Sequence, residues 1–476
     1  MQQATAIGTT VIGLEEALRM EPQESIRYEV QHLNPRIIKL LEFAGLAVPQ
    51  VRASGAYVWD RTGRRYIDLF GYAGSQNFGY NHPRLLAAMD RVAEMPNLAE
   101  GPNTLAGILA HNLSVMLPGN LTRAYLGNSG TEAIDAAIKM ARAVTGRPGI
   151  VACQAAFHGR SIGALSLTDR ADYRQPFEPL VPGGRIVRFG DTEALERALA
   201  DKAVAAYIVE PIQGEAGMIV PPPGYLADVR ALCSKYGTLL VFDEIQTGVG
   251  RTGRFVACQH ESVVPDCLLL GKGLGAGLMP LSALLTTDDL WRAAHADTSS
   301  SPFHFATYSG NARACAVGIA ALELMVEENL AGQAEDSGNY LLRRLQDLQS
   351  RQPLISAVRG RGMMVGLEFS SGKVGPGSVG MAVPASAQGD AQQLFVGLLI
   401  RRLSREHSII TANTLHNPNV LRLQPPLNVE REVLDYTVDS LDKALQYLSR
   451  FQEAMLEALP DIMRFLQSDT LTGAFE

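Results

Sequence analysis

Three things are scarce in this sequence of 476 residues, and each scarcity excludes something. There are only five cysteines, Cys153, Cys233, Cys258, Cys267 and Cys315, an odd number with no CxxC spacing. That argues against a disulfide framework or a zinc site and fits a reducing compartment, with no metal expected. Cysteines of this kind are expected to be small buried apolar residues. Basic charge is also short: 42 Lys and Arg against 49 Asp and Glu leave a net −7, which argues against nucleic acid as the main partner. Long apolar runs are missing too. The stretch around Leu268–Leu270 falls far short of a membrane span, so no membrane partner is expected. The start, Met1-Gln2-Gln3-Ala4, has no basic region, and acidic residues appear by Glu15. No secretory signal is expected, and a cytoplasmic protein is.

What is present suits a globular enzyme. Hydrophobic residues make up 46 % and charged residues 19 %, unlike a disordered chain. The length suggests two or three domains, or one large domain with an appendage, with expected boundaries at 1–75, 76–325 and 326–476. Short helical patterns cover Gly13–Arg19 and Gln23–Leu46, interrupted by Pro22 and Pro35. "GAYVWDRTGRRYIDLF" (55–70) reads as a hairpin about the turn Asp60-Arg61-Thr62-Gly63. In the middle, strand-like runs ("TRAYLG", "PGIVAC", "AAYIVEPI", "TLLVFDEI") alternate with helical ones such as Thr131–Val144 and "YLADVRALCSKYG". This rhythm predicts a mostly parallel sheet between two layers of helices. Beyond 310 come amphipathic helices, a strand pair in "ISAVRGRGMMVGLEF", and a helical C-terminus from Asn428. Residues 370–393, rich in Gly, Ser, Ala and Pro, read as a surface loop, and residues 1–10 as frayed.

Three motifs carry chemistry. Asp243 ends the apolar run of "LLVFDEIQTG", and the C-terminal ends of parallel strands are where α/β sheets bind ligands. Taken alone, it fits equally well as a cap on the next turn. Lys272 follows another apolar run in "PDCLLLGKGLGAGLMP", between glycines. A lysine shielded from water loses its proton readily and becomes a nucleophile for an aldehyde. In "GNSGTEAIDAAIKMAR" a strand passes through Gly130 into a helix starting near Thr131, and a helix N-terminus is a phosphate site. Alone, this last piece is an ordinary helix start. An amine for an aldehyde, an acid for a pyridine nitrogen and an anion site together match pyridoxal 5'-phosphate (PLP). Phe157 in "AAFHGR" would stack on its ring.

The chain resembles the class III aminotransferases, of PLP fold type I, from about Gly55 to about Leu427. "GNSGTEAIDAAIKMAR", "AFHGRSIGALSLT", "IVEPIQGEAGMIVPPPGYL", "LLVFDEIQTGVGRTGRF" and "PDCLLLGKGLGAG" match in order; within the family the chain resembles the ornithine, acetylornithine and putrescine enzymes. The resemblance implies a large domain with a mostly parallel seven-stranded sheet between helices. A smaller α+β domain would come from the N- and C-terminal segments. It implies Lys272 as the Schiff-base lysine, Asp243 as partner of the pyridinium, Gln246 at the ring hydroxyl, and Gly130 and Thr131 at the phosphate. Thr307 matches a threonine that reaches the phosphate of a neighbouring subunit, so a homodimer with a shared active site is implied.

The same resemblance implies ping-pong amino transfer through pyridoxamine phosphate, with Lys272 as the proton carrier. The amino group would move between an amine or amino acid and an oxo acid or aldehyde such as 2-oxoglutarate. Arg160 and Arg422 resemble the arginines that handle substrate carboxylates, and Glu215 the acid that pairs with the latter arginine. The sequence departs from the ornithine enzymes at two places. Gly45 and Leu46 offer no tyrosine, and Ala73 and Gly74 replace bulk beside Tyr72. A roomier, more apolar pocket is expected, suited to an ω-amine, a diamine or a long-chain aldehyde. The alternatives are an aminomutase or decarboxylase on the same scaffold, then a non-catalytic PLP-binding protein. A hydrolase using Ser129 lacks the G-x-S-x-G elbow.

Overall fold

The computed structural model describes residues 11–296, 304–369 and 388–467. The expected frayed start falls outside these residues, as does most of the expected loop, 370–387.

Three short helices open the described chain: α1 (Leu14–Arg19), α2 (Pro22–His32) and α3 (Pro35–Ala44). Pro22 and Pro35 sit at the first turn of α2 and α3, so they start these helices; proline lacks only an N–H that the first turn leaves unpaired anyway. Asn34 caps α3 by accepting from the Arg36 N–H (3.1 Å), and Gly45 (φ 74°) ends it in the left-handed region.

A meander follows: β1 (Gln50–Ser54), β2 (Tyr57–Asp60) and β3 (Arg65–Asp68), antiparallel as the hairpin reading expects. The large sheet comprises β4 (Arg123–Gly127), β5 (Gly149–Cys153), β6 (Gly184–Val187), β7 (Val204–Val209), β8 (Leu239–Asp243), β9 (Cys267–Leu270) and β10 (Ser282–Thr286). Its spatial order is β4-β10-β9-β8-β7-β5-β6. All neighbours are parallel except β10, which runs antiparallel to β4 and β9. β7, β8 and β9 bury nearly every residue because helices cover both faces.

β11 (Ile355–Arg361) and β12 (Met364–Phe369) pair next, and β13 (Ile409–Ile410) joins β3, so N- and C-terminal stretches meet in one sheet. β14 (Ala412–Asn413) and β15 (Val420–Leu423) complete a second four-stranded sheet with β11 and β12. The loop expected through 393 is corrected at its end: residues 388–393 open the helix Gln388–His407. Ala391, Gln392 and Gln393 are good helix formers, and they run into the buried stripe Phe395, Val396, Leu398, Leu399. Among the described residues no helix is long and apolar enough to cross a membrane.

Candidate active site

Because β4, β5, β7, β8 and β9 run the same way, their C-terminal ends share one edge of the sheet. Each is followed by a residue of one cavity of about 180 Å³. Seven of the ten residues expected from sequence line it: Gly130, Thr131, Phe157, Glu215, Asp243, Gln246 and Lys272. Arg160, Arg422 and Thr307 do not.

Beyond β4, the helix α4 (Gly130–Thr145) starts with Ser129 accepting from the Glu132 N–H (3.4 Å). Two glycines keep its first turn accessible. A Cβ on Gly130 would meet Ile245 at 2.8 Å, and one on Gly159 (φ 124°) would meet Thr131 at 2.5 Å. The Thr131 hydroxyl accepts from the Ser161 N–H (3.1 Å). The N–H groups of this half-buried first turn and the positive dipole end suit a phosphate.

Asp243 is buried, and its Oδ2 accepts from His158 Nδ1–H at 2.7 Å. Burial alone would depress the His158 imidazole, but this bond and the Asp243 charge outweigh it, and its pKa is raised. In the paired register Val209 lies beside Phe242, so Glu210 follows next to Asp243. Glu210 is pushed up to about 7, chiefly by burial, with His158 pulling the other way and Asp243 adding to the rise. Its two oxygens accept from the N–H groups of Phe157 and Gly214, both at 3.1 Å. The sequence reading missed His158 and Glu210. The signal for Glu210 was present: it follows an all-apolar strand in "AAYIVEP" as Asp243 closes one in "LLVFD".

Lys272 begins a 3₁₀ turn, Lys272–Gly275, with φ 41°. Desolvation lowers its pKa; Glu215 and Asp243 act against that, while Arg422 adds to it. The turn packs so closely that a Cβ on Gly273 would meet Asn77 at 2.5 Å.

Glu215 lies in the loop after β7, and Arg422 on β15 pairs with its Oε2. Both side chains are buried, and the same oxygen accepts from the Leu415 N–H (3.0 Å). Burial disfavours the Glu215 charge, yet Arg422 holds this carboxyl down at about 2. Arg422 is thus behind the cavity wall, with its guanidinium 5.7 Å from the Phe70 ring centre. Arg160 is exposed beside the cavity, stacked on Tyr173 (4.7 Å) and making no ion pair among the described residues. Thr307 is exposed in the loop before the helix Ala312–Glu327.

A sequence model of the family described as aminotransferase class-III matches residues 44–445. The chain belongs to the class III aminotransferases. Solved structures agree. The chain is similar to the ornithine aminotransferase of Toxoplasma gondii ME49, at 31 % identity over 91 % of this chain and 97 % of that one, TM-score 0.78. It is similar to an acetylornithine aminotransferase from Elizabethkingia anophelis, at 30 % identity over 90 % and 99 %, TM-score 0.72. An amine transaminase from an uncultivated Pseudomonas species, solved in its PLP-bound form, matches at 27 % identity over 84 % and 95 %, TM-score 0.72.

This class III aminotransferase is a PLP-dependent enzyme of fold type I, and its cavity fits the cofactor. Two buried polar atoms on the lining residues, His158 Nε2 and Gln246 Oε1, have no hydrogen-bond partner among the described residues. The Gln246 amide is held from its other end, where Nε2 donates to Ala73 O (3.3 Å). An amine, an acid and an open helix N-terminus surround the same space.

Proposed function

We propose that Lys272 holds PLP and carries the proton during amino transfer. Asp243 would sit at the pyridine nitrogen, Phe157 against the ring, Gln246 at the ring hydroxyl, and Gly130 and Thr131 at the phosphate. Bound there, PLP supplies an aldehyde that condenses with amines and a ring that draws electrons from the adjacent carbon. Lys272 Nζ, its basicity reduced by desolvation, takes the proton from the carbon bearing the amine and gives it back on the other side of the transfer. His158 fixes the Asp243 carboxylate, and Glu210 fixes Phe157 through its N–H.

The donor is an amine or amino acid of the ω-amine, diamine or ornithine-like kind, and the acceptor an oxo acid such as 2-oxoglutarate or an aldehyde. The observation that carries this is the Glu215–Arg422 pair. With Arg422 neutralised, the donor side suits an uncharged or cationic chain, and Arg160, stacked on Tyr173 without a carboxylate of its own, is left for the acceptor's carboxylate. Arginine binds such a group bidentately. Exposed Thr307 suits a homodimer in which each subunit completes its partner's phosphate site.

The test is a panel of donors added to the holoenzyme, followed by its visible absorbance, with 2-oxoglutarate added afterwards. Bleaching by ω-amines and recovery with the oxo acid is expected. Reaction with dicarboxylic amino acids alone would overturn the assignment of Arg422 as masked.

A further inference from the structure

A second and larger cavity, about 740 Å³, lies between α2, α3, the segment 46–50 and β13–β14. Its volume falls in the range of small-molecule sites, roughly 300–1,000 Å³. Aliphatic and aromatic side chains line most of it, among them Ile38, Leu41, Phe43, Leu46, Ile400 and Ile410.

Two shared walls lie between it and the cavity of Lys272. In one, Phe70 lines the large cavity, the Arg422 guanidinium lies over that ring, and Arg422 pairs with Glu215 of the smaller cavity. Thr411, also on the lining, donates its hydroxyl to Arg422 O (2.5 Å). In the other, Tyr72 lines the large cavity while its neighbour Ala73 accepts from Gln246 of the smaller one. Tyr72 and Ala73 both have positive φ, 48° and 60°, a conformation that the surroundings must enforce. Ala73 adds only a methyl group to this wall.

The large cavity has no free countercharge in its depth. Among the described residues two carboxylates border it, Glu29 and Asp68. Glu29 is exposed. Asp68 is buried and fully engaged: Oδ1 accepts from the N–H groups of Phe70 (2.8 Å) and Gly71 (3.0 Å), and Oδ2 from the Tyr80 hydroxyl (2.6 Å). A chain ending in an ammonium would meet no unengaged carboxylate in that depth, and burying a charge without a countercharge is costly. A hydrocarbon chain loses nothing.

We infer that this cavity receives the uncharged aliphatic tail of the amine whose amino group reacts at Lys272, the chain passing between Ala73 and the Glu215–Arg422 pair. This rests on the amino-transfer reading above and narrows its donor to a monoamine with a long tail. Each methylene buried contributes about 0.8 kcal/mol, or roughly fourfold in affinity.

The holoenzyme is tested with n-alkylamines from propylamine to octylamine, and with the matching n-alkanols, which cannot react, by calorimetry. KM for the amines and Kd for the alkanols should both fall about fourfold per methylene. Ala47→Phe and Ile400→Phe, at two separate points of the lining, should each flatten both slopes, with thermal melting showing that the fold is kept. Amine turnover with no dependence on length, slopes unaltered in both variants, or a preference for α,ω-diamines would overturn the inference while amino transfer stands. Alkanol binding with the expected slope but no amine turnover would instead overturn the amino-transfer reading.

Discussion

Replacing Glu215 by Gln keeps the shape of the side chain and an acceptor for the Leu415 N–H, and removes only the charge. The Arg422 guanidinium, 2 % exposed, then faces only neutral side chains, the amide at 215 and Gln424 Oε1 at 3.4 Å. Among the described residues its Nε has no partner even in the wild type. Removing one member of a buried pair costs about 3–5 kcal/mol because the other charge remains. A second route gives a similar figure. The Glu215 carboxyl drops from 4.5 to about 2, which at about 1.4 kcal/mol per pH unit is ~3 kcal/mol. A depressed carboxyl stabilises the folded state at pH above 4.5, and this contribution is lost as pH falls toward 2. Urea unfolding of the holoenzyme at neutral pH should therefore show Glu215→Gln less stable by ~3 kcal/mol. The gap to wild type should shrink below pH 4.5. Arg422→Met should be comparably damaging, and the double variant should recover much of the loss, since paired residues couple. A cost under about 1 kcal/mol for Glu215→Gln, or a double variant equal to the sum of the singles, would refute the reasoning.

Gly214→Ala puts a methyl group 1.6 Å from Gln246 Oε1; overpacking of this kind costs about 1–3 kcal/mol, and PLP affinity should fall as Gln246 moves, measured by equilibrium dialysis. Asp243→Asn removes the anion from both His158 and the pyridine nitrogen; kcat should fall by ~100-fold or more in single-turnover assays, with cofactor still bound. Thr307→Ala should weaken PLP by roughly 10- to 100-fold, the value of one hydrogen bond to a charged group; hybrids with a Lys272→Ala subunit should reveal whether the threonine acts across the dimer.

Much of the fold was legible because its central strands are written without interruption. β7 and β9 are apolar throughout and β8 up to its last residue, so Asp243 closing β8 and Lys272 just after β9 stand out in the sequence. The antiparallel course of β10 was not legible, since "SALLT" reads the same in either direction. The hairpin 55–70 carries its own turn, whereas Pro22 and Pro35, which look like breaks in the sequence, begin helices. His158 and Glu210 went unnoticed because each touches residues distant in the chain: the His158–Asp243 bond spans 85 positions. The demand for glycine at 214 is set by Gln246, and the large apolar cavity by helices and strands more than 300 positions apart; no local pattern encodes either.

The tight frame around position 272 has one more consequence. Its backbone is fixed by Gly271 against Ile245 and by Gly273 against Asn77, contacts that do not involve the lysine side chain. A Lys272→Ala protein should keep that frame and leave a narrow slot where the side chain lay. The missing nucleophile then becomes a reagent that can be dissolved: methylamine should restore part of the turnover in a saturable way, and bulkier amines progressively less. The chain would serve as a socket, with the reactive nitrogen a removable part.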